Sequence, residues 1–291
     1  MAQPRKLVRL QIPKSEIPSN ASSLLLKLPQ ELKDKIYQHF CGNQVIHVGI
    51  GPNLSASGLG LRKYICHTDN TEGEIQDFFN ARPTLYPFQG PKYQHSKCID
   101  LAPVSLFSKT ELDFETASYR ACHFDTAILL TCREVYHHAQ AIRNRTNTYA
   151  FAEAMALEIF ARRYAHAKDI QNLRLEINVP GLRHPPNPVR PSWSQALRVT
   201  ARKMSGLSKL HVRLMDAEAP LKKQGQVVAA LMQLAELPLN VVTIVLYHGP
   251  LTLKPVYRGK ASTWPVAEMR EWSQDVTRKL LRQELEDTTR A

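Results

Sequence analysis

The chain has 291 residues, 43% of them hydrophobic and 22% charged, and a net charge of +12. That balance fits a globular chain with a sizeable core and excludes a disordered or collagen-like one. No apolar run approaches the ~20 residues that span a bilayer, so neither a transmembrane helix nor a membrane partner is expected.

Residues 1–21 combine Pro4, Pro13 and Pro18 with basic charge and few large apolar groups, which predicts a mobile basic tail. The clearest local grammar follows at Ser22–Gly49. Pro29 suits a first helical turn, where its missing N–H costs nothing. Leu32, Ile36 and Phe40 recur at steps of four, one stripe on a helix over Pro29–Phe40, and Gly42 sits where a left-handed C-terminal cap belongs. Ile46, Val48 and Ile50 then alternate as in a half-buried strand.

Residues 51–122 read as an irregular insertion. Within it, Arg62–His67 predicts a short strand, and Thr71 with Glu74 forms a capping box before a short helix. Asp125–Arg143 is the second strong helix, with Leu129, Cys132, Tyr136, Ala139 and Ile142 on its apolar side. Thr146–Phe151 predicts a strand or turn, and Ala152–Ala165 a helix with Met155, Ile159 and Phe160 inward.

From there strands and helices alternate. Leu173–Val179, Leu210–Leu214 and Val241–Leu246 read as strands, with helices at Ser192–Met204 and Leu221–Leu234 between them. Connections of that length demand crossovers and predict neighbouring parallel strands with the two helices on one face. Val241–Leu246 is apolar throughout and is expected to be the most buried of the three. Leu251–Ser262 reads as a linker. Trp264-Pro265 opens a last helix with an Asp275–Lys279 pair on its surface. The fold class is therefore mixed α/β. It consists of one domain over residues 22–250, followed by a linker and C-terminal helix over 251–291.

Two blocks resemble a known family. Leu26-Lys27-Leu28-Pro29-Gln30-Glu31-Leu32 with Ile36-Tyr37 resembles the opening of an F-box. Leu129-Leu130-Thr131-Cys132-Arg133-Glu134-Val135-Tyr136 with Thr146-Asn147-Thr148-Tyr149-Ala150-Phe151 resembles the second block of a fungal group of F-box-like proteins of unknown function. The resemblance implies a non-enzymatic protein-interaction role, a substrate adaptor of a ubiquitin ligase. It implies that Leu28, Pro29, Leu32 and Ile36 dock on a Skp1-like adaptor. The same stripe can instead pack inward on the Val45–Ile50 strand and the Leu129–Ile142 helix. In that case Leu32, Ile36, Leu129 and Tyr136 form the contact.

Chemistry leaves few other candidates. Cys66, His95, Cys98, Cys122 and Cys132 could together supply zinc ligands. However, no Cys-x-x-Cys is present, and isolated cysteines pack well as small apolar groups, so no metal and no cofactor are expected. Five cysteines and an N-terminus without a continuous apolar stretch point to reduced thiols in the cytoplasm or nucleus. No P-loop, Gly-x-Ser-x-Gly or His-Glu-x-x-His is present, and Glu134 with His137-His138 lacks a nucleophile and an orienting group, so no enzymatic role is expected. The alternative function is a basic nucleic-acid-associated protein. Its support is charge alone, spread over Arg162-Arg163, Arg198, Arg202-Lys203 and Arg278-Lys279.

Overall fold

Alternation of apolar and polar residues builds the sheet. In the computed structural model, which describes residues 23–52, 59–65, 132–178, 192–215, 225–247 and 266–282, six strands lie in the order β2-β1-β3-β4-β5-β6. They are β1 (Val45–Pro52), β2 (Leu59–Ile65), β3 (Thr148–Phe151), β4 (Asn172–Asn178), β5 (Lys209–Met215) and β6 (Val241–Tyr247). β1, β3, β4, β5 and β6 are mutually parallel, and β2 closes one edge antiparallel to β1. The expected parallel array of three strands is present and forms part of this larger sheet.

The register sorts side chains into rows. Ile46, Tyr149, Leu173, Leu210 and Val242 stand side by side, as do Phe151, Leu175, Val212 and Ile244. That face is covered by α4 (Ala154–Arg163), α5 (Trp193–Lys203), α6 (Gly225–Leu231) with a 3-10 turn at Met232–Leu234, and α7 (Val266–Leu281). Leu157, Phe160, Leu197, Leu231 and Leu280 all enter this core. Each such side chain contributes roughly 1.5–3 kcal/mol by leaving water. Ser192 caps α5, its hydroxyl accepting from the Gln195 N–H at 3.2 Å.

β6 does not hold the position expected of it. It is the edge strand, and Val241 is 40% exposed, whereas Leu173 and Leu175 on the inner strand β4 are fully buried. Apolar composition gives a strand's demand for cover, but its place in the sheet decides how much it receives. α7 lies against this strand, and the Ser273 hydroxyl donates to the Ile244 carbonyl at 2.6 Å. The helix thus blunts an edge that would otherwise invite pairing. The predicted Asp275–Lys279 pair is present at 2.7 Å.

The N-terminal helices form a second, smaller core rather than closing the other face of the sheet. α1 (Leu24–Lys27) and α2 (Gln30–Cys41) pack on α3 (Arg133–Thr146) through Tyr37, Cys41, Val135, Ala139 and Ile142. α2 leads into β1 and α3 into β3, and these two strands pair in parallel. Leu129, residues 125–131, the Thr71–Phe79 helix, the tail at 1–21 and the Leu251–Ser262 linker lie outside the described residues.

Candidate functional site

The two sequence blocks meet where α2 turns into β1 and α3 turns into β3. Asn147 bridges the turns: its amide donates to the Cys41 carbonyl at 2.7 Å, and its side-chain oxygen accepts from the Gln44 N–H at 2.8 Å. Thr146 accepts from the Asn43 N–H at 3.4 Å, and the Thr148 N–H donates to the Gln44 carbonyl at 2.9 Å, opening the β1–β3 ladder. Asn172 extends the clamp by donating to the Arg145 carbonyl at 2.9 Å. Gly42 is needed here for closeness, not for a left-handed cap. Its φ is −106°, while a Cβ would meet the Thr146 hydroxyl at 2.6 Å and the Gln38 carbonyl at 2.9 Å. Asn43 takes the left-handed conformation instead, at φ 55°. The Thr146-Asn147-Thr148 segment is therefore a structural lock between helix ends.

That lock sets which side of α2 is covered. Lys33, Tyr37 and Cys41 are buried, a stripe one residue away from the one expected from the four-residue steps. The Leu32–Ile36–Phe40 stripe is rotated toward solvent. Leu32 is 45% exposed, Phe40 41%, Tyr136 39% and Leu24 80%. Ile36 is half-buried against the small core, Leu28 is half-buried, and Pro29 is exposed as the residue that precedes the helix. The helices thus touch as expected, but not through Leu32 and Tyr136. The physical reason is that two adjacent stripes on α2 are both apolar enough to qualify, and the clamp at Gly42 selects Tyr37 and Cys41. Tyr37 and His138 face each other with ring centroids 6.5 Å apart, and both the Tyr37 hydroxyl and His138 Nδ1 are buried without a hydrogen-bond partner. Burial pushes the Tyr37 phenol and the Cys41 thiol up.

The other face of the sheet is charged. Alternation places Arg174 beside His211, and Glu176 beside Arg213, with Glu176 and Arg213 paired at 3.3 Å. Arg174 is only 1% exposed. Burial, then Arg174, Arg213 and Lys209, lowers the His211 pKa to about 4, so the ring is neutral at physiological pH. These residues were legible as the polar half of each alternating strand, but nothing in the sequence marked them as clustered. At the opposite edge, the Lys63 amine lies 4.6 Å over the Tyr164 ring and 5.2 Å over Phe160, fastening β2 to α4.

Among the described residues no group of three or more His, Cys, Asp or Glu could hold a metal. Cys132 caps α3, its sulfur accepting from the Val135 N–H at 3.5 Å. Cys66, His95, Cys98 and Cys122 lie outside the described residues. His137 sits against Arg133 at 3.5 Å on the exposed side of α3. Among the described residues no helix is long and apolar enough to cross a membrane.

No curated protein and no solved structure matches the chain. A family model does: the domain of unknown function DUF7730 matches residues 18–246, a description that fits the unknown-function side of the resemblance and carries no F-box assignment, and the chain belongs to that family.

Proposed function

We propose that this protein is a non-enzymatic interaction module whose partner seats on the outer side of α1–α2, around Leu28, Pro29, Leu32 and Ile36. The finer reading is an F-box-like substrate adaptor, with this surface held by a Skp1-like protein of a ubiquitin ligase. One observation carries it: Leu32 and Phe40 stay exposed on a helix whose adjacent stripe is locked into a core. Scattered exposed apolar residues need no explanation, but a run of them at helical steps is the form that a helix-in-groove contact takes. The flanking Pro29 and the short α1 before it fix where the stripe begins.

The test is a binding measurement between the purified full chain and a purified Skp1-like adaptor. The expected result is a complex that Leu32→Glu or Phe40→Glu abolishes while the melting temperature stays within a few degrees of the parent. A hydrophobic contact should also survive moderate salt. Absence of a complex, or a complex indifferent to both substitutions, would remove the adaptor reading.

A further inference from the structure

We propose that the edge of the sheet at the strand N-termini is a docking surface for the phosphate backbone of nucleic acid, carried by Arg145, Lys168, Arg202, Lys203 and Lys209. In the sequence these residues lie up to 64 positions apart. The fold stitches their turns together. Asn172 donates to the Arg145 carbonyl at 2.9 Å, the Lys209 N–H to the Gln171 carbonyl at 2.9 Å, and the Gly206 N–H to the Lys168 carbonyl at 3.0 Å. Gly206 permits that last approach, because a Cβ there would run into the Lys168 carbonyl. Arg202 and Lys203 end α5 just before this turn.

All five side chains are exposed, and among the described residues none is in an ion pair. Among the described residues, the acids near these turns are Asp169, held 3.4 Å from His166, and Glu236 in the neighbouring turn before β6. Five cations thus face two carboxylates. The helix macrodipole accounts for a basic residue in the last turn of any one helix. It does not account for the convergence of three turns, or for Lys209 at the start of a strand. The cations span β3, β4 and β5, about 10 Å at the spacing of neighbouring strands, which is the reach of a few successive phosphates. An anionic membrane is the lesser fit. Val241 is the large apolar side chain exposed along this edge among the described residues, and a membrane-seated surface needs several. The aromatic rings in these turns are already engaged, Tyr164 stacked on Phe160 and hydrogen-bonded to Asn144, and His166 held by Asp169, so binding should be insensitive to sequence.

The experiment measures fluorescence anisotropy of a labelled 20-base-pair DNA duplex and of the corresponding single strand with the full chain, from about 50 to 200 mM salt. The expected result is steep salt dependence, with Lys168→Glu/Arg202→Glu/Lys203→Glu weakening binding at least tenfold and lowering the log–log slope by about 2–3. The double variant Lys27→Glu/Lys35→Glu, on exposed positions of α1 and α2, should change it much less. If the triple variant fails to fold by circular dichroism, Lys168→Gln/Arg202→Gln/Lys203→Gln replaces it. The proposal falls if the duplex does not bind at low salt, if both variants weaken binding equally, or if phosphatidylserine vesicles bind as tightly as nucleic acid through the same residues.

Discussion

The two cores of this protein are built differently. The sheet core is long and apolar, with rows of side chains from five parallel strands capped by four helices on one face. The α1–α3 core has five buried apolar side chains among the described residues and depends on polar clamps at the helix ends. The first resists unfolding by area, the second by geometry. A small core closed on one side leaves the other side of α2 open, which is why the exposed stripe occurs there and not on α4 or α5.

Truncation in each core is the strongest way to break that contrast. Phe160 is fully buried, stacks on Tyr164 with ring centroids 4.7 Å apart, and lies near Phe151 and Tyr149. Phe160→Ala should cost about 3–5 kcal/mol in denaturant unfolding, whereas Ile142→Ala at the border of the small core should cost about 2 kcal/mol. Equal losses would mean that the two cores carry stability alike.

The charged sheet face should reveal itself through pH. His211 titrates near 4 in the folded chain and near 6.5 unfolded. Between these values the unfolded chain binds more protons, so stability is fully present above 6.5 and falls as the pH drops toward 4. The loss is at most about 3 kcal/mol, and less because part of the ring is wetted. His211→Asn should flatten the unfolding curve in that window. An unchanged slope would show that burial and the neighbouring cations do not hold the ring neutral.

The clamp comes next. Asn147→Ala removes a donor to Cys41 and an acceptor for Gln44, leaving both backbone groups to find new partners. The expected cost is about 1–3 kcal/mol. Hydrogen exchange at the start of β1 should quicken more than in β4. Uniform quickening across the sheet would mean that the clamp supports the whole fold rather than the joint.

Most of this architecture was legible because period-two and period-four patterns depend on local chemistry. Leu173, Leu175 and Ile177 alternate because one face is wet or charged, and they occupy a strand accordingly. Strand order was not legible. Val241–Leu246 advertises burial but lies at the edge, and only the pairing of β5 with β6 alone reveals this. Nor was the buried stripe of α2. Leu32–Ile36–Phe40 and Lys33–Tyr37–Cys41 are neighbours around one helix, and the choice between them is made by Gly42 and Thr146, 104 residues apart. Similarly, the basic residues of the strand edge looked scattered because convergence belongs to the turns.

The smallest stability effect carries the most functional information. Read from sequence alone as a core residue, Leu32 would cost about 2–5 kcal/mol on truncation to Ala. At 45% exposure it keeps much of its surface in water when folded, so Leu32→Ala should cost less than about 1 kcal/mol. Tyr37 on the adjacent stripe is fully buried, and Tyr37→Ala should be several-fold more damaging. Thermal unfolding of the pair therefore measures which stripe faces inward. If Leu32→Ala destabilises as much as Tyr37→Ala, the stripe is covered in the folded chain and cannot be the docking surface. If it is nearly silent in stability yet weakens partner binding, the exposed side of α2 is doing separate work from the side that holds the fold together.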